Sequence, residues 1–331
     1  MRNSKRLTLH ATSCTLIFLA WPFFSFGQLK WTNVDSLYQP LPHSVHIYST
    51  NEKIDTGSFR AFYLIADLTD KKLDFTVDTT LNRRLTPAKF FEKNNKPLVV
   101  VNCTFFSFET NRNLNVVVKD GKMVGYNIHT IAGKARDTLK FFHPVRSAIG
   151  ISKKRKADVA WVYTDSTKKI PYEQLPGPYL LVDSFSQFKP TVLPAFSLVE
   201  HLEKPIYKKW EMQTAVGGGP VLVQNRRIAI ANEEERMFAG KAINDKHPRT
   251  AMGYTKDDKL IILVIQGRSE SSGGATLTQE AQILKDLGCV EALNLDGGGS
   301  SCMLVNGKET IKPSDAAGQR AVPAVFIIKK H

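Results

Sequence analysis

Apolar positions along this chain come in short runs and alternations, the pattern of strands, with few helical stripes. Phe59–Leu68 and Leu73–Val77 read as strands, and Thr69-Asp70-Lys71-Lys72 between them predicts a hairpin. Val99-Val100-Val101 is a fully apolar strand leading to Asn102. Val116–Lys119 and Lys122–Val124 flank Asp120-Gly121, a strong hairpin turn. Leu260–Ile265 is another apolar run, Ala292, Leu293 and Leu295 mark a buried strand, and Cys302–Val305 marks the next. Helices are scarce. Thr86-Pro87 opens a short one carrying Phe90 and Phe91, with proline at a first-turn position. Leu277, Ala281, Leu284 and Leu287 recur at helical spacing; Thr276 and Gln279 predict a capping box, and Gly288 the stop. Residues 168–209 show no sustained period and read as loops with short elements, arranged as a lid. The pattern predicts an α+β chain of mixed, largely antiparallel sheets.

Part of the pattern repeats. Arg146-Ser147-Ala148-Ile149-Gly150 is echoed 103 positions later by Arg249-Thr250-Ala251-Met252-Gly253. A turn with lysine and then a strand follow in both places, Val159–Tyr163 against Ile262–Gln266. Upstream, Val116–Val124 and Pro220–Ile228 are both strand-turn-strand patterns. A duplicated unit predicts two pseudo-repeated halves around one cleft, with Arg146 and Arg249 in equivalent places. Two hairpins alike by chance is the alternative.

The densest candidate chemistry is Asn294-Leu295-Asp296-Gly297-Gly298-Gly299-Ser300-Ser301. Consecutive glycines are costly to order, so they imply close backbone approach or positive φ. With N–H groups turned one way they form an anion-binding concavity, and Asp296 at the strand end faces the same ligand. The plainer reading is a tight hairpin with an exposed aspartate. The flanking segments are His247-Pro248-Arg249-Thr250, Gln266-Gly267-Arg268, Gly273-Gly274-Ala275-Thr276 and Gly217-Gly218-Gly219-Pro220. Together these blocks, from Ala215 to Ile328, resemble the phosphodiester glycosidase family in order and spacing. The N-terminal half matches more loosely. There, Asn102-Cys103-Thr104-Phe105-Phe106 stands where the family pattern has Asn-Gly-Gly-Phe-Phe. The resemblance implies a catalytic domain over residues 59–331, preceded by an extension over 28–58.

The resemblance further implies hydrolysis of a sugar-1-phosphodiester at the anomeric carbon–oxygen bond. Such reactions pass through an oxocarbenium-like state and ordinarily use two carboxylates. A phosphate leaving group needs less protonation and more cations and N–H donors, and arginine suits it through bidentate bonding. Asp296 is the first candidate for the carboxylate at the anomeric centre. Glu280 is the second acid, catalytic or orienting an arginine, although an acid in a first helical turn is ordinarily a surface residue. Arg249, Arg268 and Arg146 are the phosphate-directed cations, with donors from Gly217, Gly218, Gly219, Gly297, Gly298 and Gly299 and the hydroxyl of Ser300. Asn102 and Asn294 either hold sugar hydroxyls or are buried structural amides. His247 is a general acid or a turn histidine. Arg320 contacts substrate or pairs with a carboxylate.

Composition narrows the setting. Arg2, Lys5 and Arg6 precede the mostly apolar stretch 7–26, and Ser25 and Gly27 suit cleavage before Gln28, so residues 1–27 read as a signal peptide. No later stretch is apolar for long enough to span a bilayer as a helix, and the expectation is an exported protein, periplasmic or secreted, without a transmembrane anchor after signal removal. Losing the three signal cations lowers the formal charge from +14 to +11, still basic. Lys153-Lys154-Arg155-Lys156, the densest basic run, reads as a solvated turn, and no cation-aromatic interleaving points to nucleic acid. The expected partner is a phosphorylated glycan or sugar-1-phosphodiester. Cys103, Cys289 and Cys302 have no zinc spacing, and Asp296 with hydroxyls is too few ligands for a metal, so neither metal nor cofactor is expected. Cys103 and Cys302 form a disulfide or are buried thiols. The rivals are a phosphodiesterase cutting P–O and a catalytically inert glycan-binding module.

Overall fold

The computed structural model of the chain describes residues 29–188 and 205–331, so the expected signal peptide and residues 189–204 of the expected lid lie outside the described residues. The principal strands are β1 (Val45–Thr50), β2 (Ala61–Asp67), β3 (Leu73–Thr79), β4 (Val99–Asn102), β5 (Val117–Lys119) and β6 (Lys122–Gly125). Next come β7 (Ser147–Ile151), β8 (Ala157–Asp165), β9 (Thr214–Gly217), β10 (Val221–Gln224) and β11 (Arg227–Ile228). The last are β12 (Arg249–Thr255), β13 (Lys259–Ile265), β14 (Cys289–Asn294), β15 (Met303–Val305), β16 (Lys308–Glu309) and β17 (Ala324–Lys330). Helices α1 (Pro87–Lys93), α2 (Asn232–Glu235) and α3 (Leu277–Asp286) complete the list. The expected capping box forms: Gln279 N–H donates to Thr276 Oγ1 and Thr276 N–H to Gln279 Oε1.

The strands make three main sheets, paired antiparallel throughout; the first two share one five-strand order and the third repeats it with its strands circularly permuted along the chain. The first runs β8-β7-β9-β5-β6, the second β13-β12-β14-β10-β11, and the third β3-β17-β4-β15-β16. The second is extended at its β13 edge by β2 and β1, so residues 32–50 join the same sheet as strands from residue 61 onward. The first is extended at its β8 edge by Ile170–Leu175 and Ile206–Lys209, strands inside the stretch expected to be mainly loop.

Alternate residues explain how the sheets pack. Val99 and Val101 of β4 enter a core shared with Ile149 of β7, Ile262 of β13 and Phe326 of β17, whereas Val100 faces Phe90 of α1. Leu222, Ile261 and Ala292 on the outer face of the second sheet pack on Leu277, Ala281 and Leu284 of α3. Val118, Ala148 and Val162 of the first sheet are covered by Trp210 and Met212. Sheets buried on both faces favour the near-continuous apolar runs seen in the sequence.

Equivalent strands end at a common junction. Gly217 pairs with Ala148, Asn294 with Ala251, and Asn102 with Val325, each the last residue of the middle strand of its sheet. Beyond them the chain ends interlock. Asp296 N–H donates to Cys103 O at 2.8 Å, Gly219 N–H to Asn294 O at 2.7 Å, and Gly218 N–H to Ser147 O at 3.0 Å. Asp296-Gly297-Gly298-Gly299 is therefore a crossover from the second sheet into the third, not a tight hairpin.

Two local expectations are corrected. Residues 69–72 join β2 and β3 as a corner between sheets, because both edges of β2 are taken by β1 and β13 while β3 pairs with β17. The basic run is solvated at three positions, but Arg155 turns inward. It donates to the carbonyls of Leu68, Asp70 and Leu73 and lies over the Phe75 ring, which pins that corner.

The junction is sterically tight at Gly218, where a Cβ would lie 2.5 Å from Asn294 O and 2.7 Å from Leu295 Cδ2, whereas Gly273 has open space around it. Gly218→Ala should destabilise the fold by about 1–3 kcal/mol, the usual cost of overpacking, and Gly273→Ala should change the melting temperature little. Equal melting temperatures for the two variants would contradict the close approach.

Candidate functional site

The crossover after β14 carries Asp296 to the mouth of the junction. Gly298 takes a left-handed φ of 60° and Gly298–Ser300 close one 3-10 turn, held by Gly298 N–H donating to Pro248 O at 2.8 Å. Any side chain at Gly299 would collide with Arg320 Nη2 and Asp315 Oδ1, so the glycine lets that ion pair lie against the main chain. Asp296 is half-buried, yet its Oδ2 is sealed from solvent and has no hydrogen-bond partner. Burial pushes its pKa up to about 7, against the Ser300 hydroxyl, the Arg320 charge and the Gly297 N–H, all of which favour the carboxylate.

Two arginines flank this acid in different electrostatic states. Arg320 is bound to Asp315 in a fork, Nε to Oδ2 at 2.7 Å and Nη2 to Oδ1 at 2.8 Å, with Nη1 3.5 Å from Ser300 Oγ. Its charge is largely matched. Arg268, exposed and left-handed at φ 57°, lies beside Gly298, with Nη2 3.4 Å from His247 Nδ1. It forms no ion pair among the described residues. Burial lowers the His247 pKa, and the charges of Arg249 and Arg268 lower it further. The imidazole is thus neutral at pH 7, able to donate or accept one proton.

Arg249 is buried behind His247. Its Nε donates to Ala275 O at 3.0 Å and Nη2 to Asp245 O at 3.2 Å, and Phe238 offers its ring face 5.8 Å from the guanidinium carbon. Glu280, on the first turn of α3, is fully buried, and neither carboxyl oxygen has a hydrogen-bond partner. Burial pushes its pKa up to about 8, opposed by the Arg249 charge.

The remaining sequence candidates form the scaffold beneath. Asn102 Nδ2 donates to Asp296 O at 2.6 Å, while its Oδ1 accepts from Thr250 Oγ1 at 2.9 Å and Cys302 N–H at 3.0 Å. Asn294 Nδ2 donates to Gly219 O at 2.8 Å and leaves its Oδ1 unpartnered. The N–H groups of Gly217, Gly218 and Gly219 donate to the carbonyls of Val116, Ser147 and Asn294, so the main chain already occupies them. Arg146 is only 8% exposed, with Nε unpartnered, and sits within electrostatic range of Glu235. The structure therefore gathers Asp296, Gly297–Ser300, Arg268, His247 and Arg320 at one place. Arg249 and Glu280 stand behind it, and Asn102, Asn294 and Gly217–Gly219 lie below.

Four neighbours were not foreseen from sequence. Asp315 is five residues before Arg320, and that spacing across Gly318 was its only signal. Phe108 and Phe238 are single aromatics in loops without a period. Glu235 ends an acidic run, Glu233-Glu234-Glu235, that looks like a solvated turn. Instead it accepts from Val221 N–H at 2.8 Å, Ser147 N–H at 3.0 Å, Ser147 Oγ at 2.8 Å and Trp161 Nε1 at 3.0 Å, tying the first sheet to the second. Burial still pushes its pKa up to about 7. Cys103, Cys289 and Cys302 are buried free thiols. Among the described residues no three His, Cys, Asp or Glu side chains cluster closely enough to hold a metal ion, and no helix is long and apolar enough to cross a membrane.

Residues 182–329 match the phosphodiester glycosidase family model, and the family resemblance of these blocks is thereby shown. Over 98 residues the chain is 32% identical to mouse N-acetylglucosamine-1-phosphodiester alpha-N-acetylglucosaminidase, and over 101 residues 36% identical to the human protein of that name. Over 85 residues it is 39% identical to an uncharacterized SPbeta prophage-derived protein of Bacillus subtilis. These alignments cover 26% to 30% of this chain but only 13% to 19% of the relatives' lengths. The fold is similar to that of a hypothetical protein from Synechocystis, at TM-score 0.59 and 16% identity, covering 91% of this chain and 64% of the other. It is also similar to the catalytic domain of the zebrafish N-acetylglucosaminidase, solved in a form auto-inhibited by its pro-peptide. That match has TM-score 0.56 and 19% identity, and covers 88% of this chain and 85% of the other.

The buried acid on α3 makes stability depend on pH. Glu280 ionises at about 4.5 when unfolded and about 8 when folded. The fold therefore keeps its full stability below pH 4.5 and loses the contribution as pH rises through 8. Glu280→Gln cannot ionise. Its melting temperature minus that of the wild type should grow between about pH 5 and pH 8.5; parallel curves would contradict the buried-acid assignment.

Proposed function

We propose that this chain, whose residues 182–329 carry the phosphodiester glycosidase pattern, is a hydrolase that cleaves a sugar-1-phosphodiester at the anomeric carbon–oxygen bond. The observation that carries the reading is the asymmetry around Asp296. One carboxylate with a sealed, unpartnered oxygen lies in the field of an arginine already matched by Asp315, and the turn that follows it meets an arginine without an ion pair among the described residues. The free Arg268 and the neutral His247 suit a phosphate diester, whose planar O–P–O edge accepts a guanidinium fork. A sugar placed between them and Asp296 brings its anomeric carbon to the carboxylate.

In this mechanism the C1–O bond breaks and the phosphate leaves as a monoester, keeping the bridging oxygen. Asp296, ionised, supports the positive charge that develops on C1. Water supplies the new C1 oxygen, and its proton passes to a neighbouring base. Glu280 and Arg249 act behind His247, the buried acid setting the field around the arginine. Asn102 and Asn294 serve the reaction indirectly, by holding the Asp296 and Gly219 main chains. The N-acetylglucosamine named for the mammalian relatives is the first sugar to try.

The shared strand order of the first two sheets and the 103-residue echo support an origin by duplication, with Arg146 and Arg249 each at the buried start of an equivalent strand segment. The basic start and apolar run of residues 1–27 support export to the periplasm or medium, and cell fractionation reads that directly.

Turnover of a panel of sugar-1-phosphodiesters in heavy-oxygen water tests the reaction. The label should appear on the released sugar. Asp296→Asn should lose turnover by orders of magnitude while its melting temperature stays close to that of the wild type, because asparagine keeps the turn but not the charge. Label confined to the phosphate would replace this reading with P–O cleavage, and equal activity of Asp296→Asn would remove Asp296 from the chemistry.

A further inference from the structure

Phe108 is a large aromatic side chain left 63% exposed beside the proposed site. Its loop is not slack. Phe106 and Asn113 form a β-bridge, Ser107 N–H donates to Arg112 O at 2.9 Å, and Asn111 N–H donates to Ser107 O at 2.9 Å. Asn113 Nδ2 donates to Thr79 Oγ1 at 3.0 Å, and Arg112 Nε to Asn82 Oδ1 at 3.0 Å, tying the loop to the third sheet. The guanidinium carbons of Arg84 and Arg320 lie 5.3 Å and 5.5 Å from its ring centroid and Phe106 lies 4.8 Å away, yet most of the ring stays open to solvent. A rigid loop thus presents an aromatic face to solvent, which costs hydration free energy and stabilises nothing in the core.

The ring contacts Arg320, the arginine whose charge acts on Asp296, whereas Arg268 meets the turn at Gly298. Arg320 links the ring to Asp296, with its Nη1 3.5 Å from Ser300 Oγ and Ser300 hydrogen bonded to Asp296. The surroundings of Arg320 differ chemically from those of Arg268. The matched Arg320–Asp315 fork offers donors and acceptors with little net charge, and Phe108 offers an apolar face. A pyranose has that same combination, hydroxyls around its edge and a patch of axial C–H bonds on one face. Few precisely placed polar groups beside an aromatic wall is the general make-up of small-molecule sites.

We propose that Phe108, with Asp315 and Arg320, forms the sugar subsite, Phe108 stacking on the C–H face of the ring and the Asp315–Arg320 fork bonding its hydroxyls. The phosphate then lies on Arg268 and His247. Phe108 is a specificity-determining residue, since its face selects sugars whose C–H bonds project on one side. The inference rests on the function proposed above, and Phe108 follows closely on Cys103-Thr104, where this chain departs from the family pattern.

Binding of the two halves of the substrate, measured separately, tests it. Free N-acetylglucosamine, glucose and mannose, and inorganic phosphate, would be titrated into wild type, Phe108→Ala, Phe108→Trp and Arg268→Ala by protein-observed NMR. Phe108→Ala should weaken binding of the preferred sugar roughly tenfold or more and leave phosphate affinity unchanged, Phe108→Trp should retain the sugar, and Arg268→Ala should weaken phosphate alone. A sugar affinity unchanged in Phe108→Ala, a parallel loss of both ligands, or no sugar binding to wild type would each overturn the subsite. Turnover reads the enzyme proposal independently: sugar binding that depends on Phe108, without hydrolysis of any phosphodiester, would leave the subsite standing and sink only the hydrolase.

Discussion

Everything in this structure depends on satisfying main-chain polar groups where three sheets meet. The middle strands β9, β14 and β4 end within one junction, too crowded for water to serve their amides. An unpaired buried amide costs about 1–3 kcal/mol, so each chain must find its partner on the next. Asp296 N–H reaches Cys103 O, Gly219 N–H reaches Asn294 O, and two asparagine side chains close the remaining gaps, Asn102 to Asp296 O and Asn294 to Gly219 O. Glycine is needed there because backbones approach within the reach of a Cβ, as at Gly218.

The same constraint shapes the site. Interlocking leaves the Asp296 main chain immobile and its side chain at the edge of the core, with Oδ2 desolvated. The glycine turn that follows admits the Arg320–Asp315 pair at Gly299 and Arg268 at Gly298. The proposed function rests on this acid with a raised pKa, set near one matched and one unmatched guanidinium. Two more acids, Glu235 and Glu280, are buried nearby at equivalent depth but in opposite states of satisfaction. Glu235 has four donors and serves as a tie between sheets, whereas Glu280 has none, with only the field of Arg249 to favour its charge.

Much of this was legible in the sequence. The apolar runs located most strands, Thr276 and Gln279 located the start of α3, and the Asp-Gly-Gly-Gly block located the crossover, because each signal is local. Pairing was not local. The turn at residues 69–72 looks like a hairpin, yet β3 finds its partner in β17, at the far end of the chain. Asn102 and Asn294 read from sequence as sugar ligands or buried structural amides and the Gly217–Gly219 amides as phosphate donors, whereas their geometry is that of the junction, which no single segment encodes. Asp315 and Phe108 escaped notice for a related reason: each gains its meaning from Arg320, and a loop residue carries no period to mark the contact.

The central claim is that the junction desolvates Asp296 and so readies one carboxyl group for chemistry. Titration of the Asp296 side-chain carboxyl carbon by NMR, in protein labelled at aspartate and identified with Asp296→Asn, measures this directly. The account predicts a midpoint raised to about 7 in the folded protein. A midpoint near 4, the ordinary value for an aspartate in water, would show the group to be solvated and would contradict it.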